Sequence, residues 1–352
     1  TNNMKTIAFF ADGDATIGLG HLTRLRSLAN YLKGPLYIFS RTPHYAKQIF
    51  GDFHRALIID VSNTQPKYLA RFIHQSKQNI GVLVLDPPII KNRPDATSGP
   101  AWQAFVDRLR HYNIKVVRIT DEAKASNHCC DLLINDHPLA KSFVENYLTY
   151  CPQMKIRCGL EYFLIDRDHK NTGGAKVNRL LVSFGGGDQS NLLTRFSEAF
   201  DSLSQNIPID LVVGPAANNV PELNSSVRVY HSIHQKEFAS LLGGAKAALT
   251  AAGNTMFERV FHKIPGLSVA QFRHQDSFGW EFQALGLTQH LGLGIEISPP
   301  NLVRVIQRFW DNEKKHKKQI AASELLSFTD GCETIVKDIQ KKRKSDIVWM
   351  ND

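Results

Sequence analysis

The chain has no apolar run approaching the ~20 residues of a membrane helix anywhere in its 352 residues. Residues 1–5 are polar and lead straight into a strand-like run. No signal peptide is read there, and a cytoplasmic location is the default expectation. Cysteine is scarce. The five (Cys129, Cys130, Cys151, Cys158, Cys332) are odd in number and irregularly spaced, with no CxxC. That argues against a disulfide framework or a zinc site and for buried free thiols. His128-Cys129-Cys130-Asp131 contains ligand-type residues, but neighbours on a strand point to opposite faces, so no metal is expected. A GxSxG elbow, a P-loop and a GxGxxG fingerprint are all missing. Serine hydrolases, nucleoside triphosphatases and dinucleotide-binding enzymes lose support accordingly. No stripe of basic residues interleaved with aromatics occurs, so nucleic acid is not an expected partner. The run Lys341-Lys342-Arg343-Lys344 reads as a solvated helix end.

What is present is the composition of a globular protein, 43% hydrophobic and 21% charged, with length enough for two domains. The net charge of +9 is uneven. Residues 1–170 hold 22 Lys+Arg against 15 Asp+Glu, and the remainder 20 against 18. A basic first half suits an anionic ligand or a membrane surface.

Short apolar runs alternate with helical patterns. Thr6–Phe10, Leu36–Ser40, Ala56–Asp60, Gly81–Asp86, Lys115–Thr120 and Leu132–Asn135 read as strands. His21–Leu32 reads as a helix with Leu22, Leu25, Leu28, Ala29 and Leu32 on one face. The polar stretch 171–176 reads as a linker, after which the rhythm restarts. Strands are then expected at 179–184, 209–213, 227–230, 247–250 and 266–269, with helices at 191–203, 235–243 and 255–261. This is the pattern of two doubly wound α/β domains, 4–170 and 176–325, followed by a terminal segment, 326–352, expected to hold a helix that packs back on the first. Ligands of such sheets bind at the carboxyl ends of the strands, so a cleft between the two domains is the expected site.

Three segments sit at strand-to-helix turns. In Gly18-Leu19-Gly20-His21-Leu22-Thr23-Arg24, glycines permit close approach of a ligand and the helix start offers N–H groups to an anion. His21 at that position suits a general base, since imidazole titrates near neutral pH, with simple capping or packing as the alternative on spacing alone. In Ser183-Phe184-Gly185-Gly186-Gly187-Asp188, three consecutive glycines fit a diphosphate cradle better than a plain turn, while Asp188 is placed to cap the next helix. In Ala252-Gly253-Asn254-Thr255, helix-start N–H groups again suit phosphate, and Glu258 one turn later suits ribose hydroxyls. A plain capping box remains the alternative there. Two weaker candidates are Asp86-Pro87-Pro88, at the end of a buried strand, and Arg273-His274-Gln275-Asp276. His44, His54 and His111 read as surface residues.

In order along residues 5–340, these motifs resemble the UDP-sugar hydrolases of the pseudaminic-acid pathway. Gly18-Leu19-Gly20-His21-Leu22-Thr23-Arg24 with Leu28-Ala29 is similar to their GxGHxxR…LA opening, which spore-coat polysaccharide proteins share. Cys158–Ile165, Ser183–Asp188 with Asn191, Ala252–Thr255 with Glu258, and Asp330-Gly331-Cys332 resemble their later segments. The resemblance implies a GT-B fold of two Rossmann-like domains facing across a cleft, UDP on the second, and the sugar toward the first. It implies release of UDP from a UDP-diacetamido-trideoxyhexose with inversion, water activated by His21, and no metal or other cofactor. The substrate-binding residues so assigned are Asp14, Gly18, Gly20, Arg24, Asp86, Gly185, Gly186, Gly187, Asn191, Gly253, Asn254, Thr255, Glu258, His274 and Gln275. One departure stands out. The family's Asp-x-Tyr is replaced by Asp86-Pro87-Pro88, so a different sugar pocket is expected. The alternative is an inverting glycosyltransferase of the same fold, in which His21 deprotonates an acceptor hydroxyl; a third possibility is a non-catalytic binding protein. A monomer is expected, with a membrane surface as partner only in the transferase case.

Overall fold

The computed structural model describes residues 6–14, 17–64, 66–76, 79–86, 99–122, 124–126, 129–172, 175–326 and 331–341. The chain divides into two units. Residues 1–13, 21–164 and 328–352 form the first, and 14–20 and 165–327 the second.

The first unit is built on seven parallel strands: β1 (Thr6–Ala11), β2 (Leu36–Ser40), β3 (Ala56–Asp60), β4 (Ile80–Asp86), β5 (Lys115–Thr120), β6 (Leu132–Asn135) and β7 (Lys155–Cys158). Their order across the sheet is β3-β2-β1-β4-β5-β6-β7. A parallel strand is covered on both faces, which is why β4, IGVLVLD, is an almost unbroken apolar run with six consecutive buried residues. Leu83 and Leu85 pack in one core with Ala8, Phe10 and Val116. The helix Gly20–Ala29 lays Leu22, Leu25, Leu28 and Ala29 into the interior, as its spacing requires.

The second unit has six parallel strands: β8 (Val177–Ser183), β9 (Ile209–Val213), β10 (Val227–His231), β11 (Ala245–Ala251), β12 (Gly266–Ala270) and β13 (Gln289–Leu293), in the order β10-β9-β8-β11-β12-β13. Strand order reverses direction between β1 and β4 in the first sheet and between β8 and β11 in the second. At these two places the loops that leave neighbouring strands part to opposite faces and leave a crevice, the position where ligands of open α/β sheets bind.

The structure departs from the sequence reading in four places. Strands β7 and β13 were not anticipated: KIRC and QHLGL carry too few apolar residues to stand out. The helix expected over 191–203 is two, Leu192–Arg195 and Ser197–Ser204, parted at Phe196, whose buried ring lies 6.4 Å from Phe184 and 6.3 Å from Phe200. The passage into the second unit falls at Ile165, ahead of the glycine-containing stretch, of which Gly173 and Gly174 lie outside the described residues. Finally, Cys129 and Cys151 are not free thiols but are joined as a disulfide, because the approach to β6 meets the end of the helix Val144–Tyr150 with the two Cα atoms 5.2 Å apart. Cys130, Cys158 and Cys332 are buried thiols, and burial pushes the first two up to about 12.

The helix Gly331–Gln340 belongs to the first unit. Its Asp338 carboxylate accepts from Lys155 Nζ at 2.5 Å and Arg157 Nε at 2.7 Å. Lys115 Nζ donates to the carbonyls of Asp338, Ile339 and Lys341, closing the helix's carboxyl end with a cation as its dipole favours. Among the described residues no helix is long and apolar enough to cross a membrane, and no group of three or more His, Cys, Asp or Glu side chains is arranged to hold a metal ion.

Candidate functional site

In the first unit, β1 and β4 lie side by side with Ala11 opposite Asp86, so the helix after β1 starts beside the end of β4. His21 Nδ1 lies 2.8 Å from Asp86 Oδ1. Arg24, one turn further along that helix, forks onto the same carboxylate, Nε to Oδ2 at 2.8 Å and Nη2 to Oδ1 at 2.7 Å. Its Nη1 points to Asp121 at 3.4 Å and Asp136 at 3.5 Å. Arg24 and Asp86 are buried, while a fifth of the His21 side chain is exposed.

Burial alone would raise the Asp86 pKa. The Arg24 guanidinium and His21 overcome it and hold the carboxyl down at about 2. Asp86 is therefore ionised and can only accept. The bond to His21 requires a proton on Nδ1, which leaves Nε2 of the neutral ring with its lone pair. Asp136 shows the reverse balance: burial pushes its carboxyl up to about 7 against the pull of Arg24, with Asp121 and Asp86 adding to the rise. Burial would lower the Arg24 pKa, yet the three carboxylates raise it well above its ordinary value. Arg24 and Asp86, expected to touch substrate, bond each other, Asp86 also bonding His21 and Arg24 also reaching Asp121 and Asp136. Pro87 and Pro88 lie outside the described residues.

In the second unit the glycine loop leaves β8 at the switch point. A Cβ added to Gly214 would lie 2.1 Å from the Gly185 carbonyl, so that carbonyl packs directly on residue 214. The Gly186 carbonyl accepts from Ala216 N–H at 2.8 Å, and the Gly187 carbonyl from Gln271 Nε2 at 3.2 Å. A trans peptide points its N–H opposite to its C=O, and no cis bond occurs among the described residues. The N–H groups of Gly186, Gly187 and Asp188 each point away from the contact made by the carbonyl before them. None of these three donates to another described residue. Where successive amides converge they form an anion-binding concavity, the role proposed for these three below. Gly185, at φ +88°, supplies the left-handed turn into it.

Asp188 caps the next helix, its carboxylate accepting from Leu192 N and Leu193 N at 2.7 and 2.8 Å. Asn191 is left-handed and exposed, with its Oδ1 toward Asn219. The helix Asn254–Phe261 follows β11, the neighbour of β8, with Gly253 as its N-cap. Thr255 Oγ1 lies 3.6 Å from where a Gly185 Cβ would stand, and Gln275 Nε2 lies 3.3 Å from that of Gly253. Gly185, Gly253, Thr255 and Gln275 are thereby brought together. Asn254 Nδ2 donates to the Gly20 carbonyl at 3.1 Å. Gly18 sits at φ +81° in a bridge with Asp14, whose Oδ1 closes its own turn onto Ile17 N–H at 2.8 Å. Glu258 lies 3.5 Å from both Gln235 Nε2 and His169 Nε2. His169 in turn bonds His262 at 2.8 Å, and burial lowers the His262 pKa to about 3, aided by His169 and Lys176. His274 is exposed and stacks on Phe272.

Sequence reasoning missed Asp121, Asp136, Gly214 and Gln271. A signal was present for all four, since each follows within one residue of a strand's carboxyl end. What a sequence lacks is the strand order that places them beside the glycine loop or the imidazole.

No protein-family model matches the chain. It is similar to the spore coat polysaccharide biosynthesis protein SpsG of Bacillus subtilis, 23% identical over 321 residues covering 86% of this chain and 88% of that protein. It is also 24% identical over 282 residues to the uncharacterized protein MJ1062 of Methanocaldococcus jannaschii; that match covers 74% of this chain, which spans about half (54%) of the relative's length. Among solved structures, MurG of Acinetobacter baumannii superposes with a TM-score of 0.58 at 12% identity, covering 95% of this chain and 99% of that one. UGT2 of Phytolacca americana, solved with UDP-2-fluoro-glucose and pterostilbene, superposes with a TM-score of 0.61 at 10% identity, covering 96% and 100%. The calicheamicin glycosyltransferase CalG4 gives a TM-score of 0.56 at 15% identity, covering 96% and 98%. At such identities the likeness speaks for the fold alone: two parallel-sheet α/β units of seven and six strands, the GT-B fold of glycosyltransferases.

Proposed function

We propose that the protein is a nucleotide-sugar enzyme of polysaccharide biosynthesis that breaks the anomeric C–O bond of a UDP-sugar. One observation carries the reading: the switch point of one sheet holds an imidazole set as a base, and that of the other holds three amides set for an anion. His21 Nε2 takes the proton of an O–H nucleophile as its oxygen bonds to the anomeric carbon. UDP leaves with the electron pair of the broken bond, its diphosphate charge received by the N–H groups of Gly186, Gly187 and Asp188 and by the start of the helix Asn254–Phe261. Each well-placed donor is worth about 2.7–4 kcal/mol in such a role. Asp86 holds the His21 tautomer and stabilises the imidazolium that forms. Thr255 and Glu258 are assigned to phosphate and ribose.

The motif set favours water as nucleophile, and hence a hydrolase acting on a UDP-diacetamido-trideoxyhexose. The glycosyltransferases among the solved structures favour a second reading, with an acceptor hydroxyl in place of water. UDP release measured over a panel of UDP-sugars, with and without glycan or lipid-linked acceptors, separates them. Release without acceptor supports the hydrolase and acceptor-dependent release the transferase. Intact substrate under every condition contradicts both.

A further inference from the structure

Gln271 stands directly after β12 and its side chain is buried, yet four of its polar contacts go to the glycine loop that leaves β8. Its Nε2 donates to the Phe184 carbonyl at 2.8 Å and the Gly187 carbonyl at 3.2 Å. Its Oε1 accepts from Ser190 N–H at 3.4 Å, and its backbone carbonyl accepts from Ser190 Oγ at 2.7 Å. Its own N–H donates to Gln275 Oε1 at 3.0 Å, which fixes where the side chain starts. The two carbonyls held by Nε2 bracket the triglycine. Glycine imposes no backbone preference of its own, so a loop of three keeps one shape only if something outside it supplies the restraint. Gly214 and Ala216 restrain the middle of the loop, and Gln271 restrains both ends.

The geometry points to Gln271 as the positioning residue of the diphosphate site: by holding the Phe184 and Gly187 carbonyls it fixes both ends of the loop and aims the Asp188 N–H, which shares a peptide with the Gly187 carbonyl, without touching the ligand. The inference rests on the reading of function above, because it takes the anion in the loop to be the diphosphate of UDP. Leucine at 271 keeps the volume and removes both donors. Glutamate keeps the shape and removes them while ionised, setting a carboxylate against two carbonyls.

The test is a calorimetric comparison of UDP, UMP and uridine binding to the wild type, Gln271→Leu and Gln271→Glu, each first shown by its thermal melt to be folded. The wild type is expected to bind UDP at least about tenfold more tightly than UMP, a step on the scale of one charge-assisted hydrogen bond. In either variant that ratio falls toward one while uridine affinity stays within about twofold. A variant that lowers overall stability alone would weaken all three ligands together and leave the ratio unchanged. A wild-type UDP/UMP ratio retained in a folded Gln271→Leu protein overturns the inference. A wild type that binds no UDP overturns instead the reading of function, and the inference with it.

Discussion

An ionised carboxylate can only accept hydrogen bonds, and this single fact sets the chemistry of His21. Asp86, held at about 2, keeps the proton on Nδ1 and the lone pair on Nε2. Asparagine at 86 can present its amide to the ring instead, reversing the tautomer and leaving the fork of Arg24 unneutralised. Asp86→Asn is therefore expected to lower kcat about 10²–10⁴-fold, the range a positioned general base supplies. It should also cost about 3–5 kcal/mol of stability, as breaking a buried ion pair does. Steady-state kinetics and urea unfolding check the two parts, and kcat within threefold of the wild type would refute the first. Asp136 gives a second prediction. Its folded pKa of about 7 is above the ordinary carboxylate value, so the folded state binds the extra proton and stability falls as pH rises from about 4 through 7. Unfolding midpoints between pH 5 and 8 should show that decline in the wild type and a flatter profile in Asp136→Asn; identical slopes would count against it. Neither carboxylate's role was legible beforehand. His21 and Asp86 are 65 residues apart, and only the adjacency of β1 and β4 makes them partners.

At the scale of elements, close approaches of backbone shape the proposed anion site. Gly214 leaves no room for a Cβ, which would meet the carbonyls of Gly185 and Gly186 at 2.1 and 2.6 Å. Gly214→Ala must push the glycine loop away, so UDP affinity is expected to fall at least about tenfold, the scale of one lost charge-assisted hydrogen bond. Titration calorimetry measures it, and unaltered affinity would show that the loop does not hold the diphosphate. The terminal helix gives a separate test. Asp338 is depressed below the ordinary carboxylate range: burial would raise it, but Arg157 and Lys155 prevail. Its contribution is thus present above the unfolded value near 4 and lost as pH falls through the folded one. Asp338→Asn should cost about 1–3 kcal/mol at pH 7 and progressively less toward pH 3. A penalty independent of pH would contradict this. The elements that the sequence made plain were those with a strong pattern: apolar runs such as Val82–Leu85, and the spaced leucines of the helix after β1. β7 and β13 escaped because a four-residue KIRC and a glycine-containing QHLGL lack such runs, and the Cys129–Cys151 pair because spacing carries no sign of proximity.

For the whole molecule, two parallel sheets each carry their own core, and the proposed function places a different chemical task at the switch point of each. The doubled βαβ rhythm was readable because strands buried on both faces must be apolar. The proposed division of labour starts from residues that stand out in the sequence, because glycine and histidine at strand ends are costly or reactive there without a task. A protein that binds UDP only when folded gains stability from it: UDP at 100 times its Kd should add about 2.7 kcal/mol, seen as a higher melting temperature, whereas an unmoved melt would deny the binding. The account depends most on His21 acting on bonds while other residues hold the nucleotide. The measurement that tests it most directly is UDP release by His21→Ala beside its UDP affinity. The account predicts turnover lowered about 10²–10⁴-fold with affinity within about threefold of the wild type. Wild-type turnover in His21→Ala would contradict it.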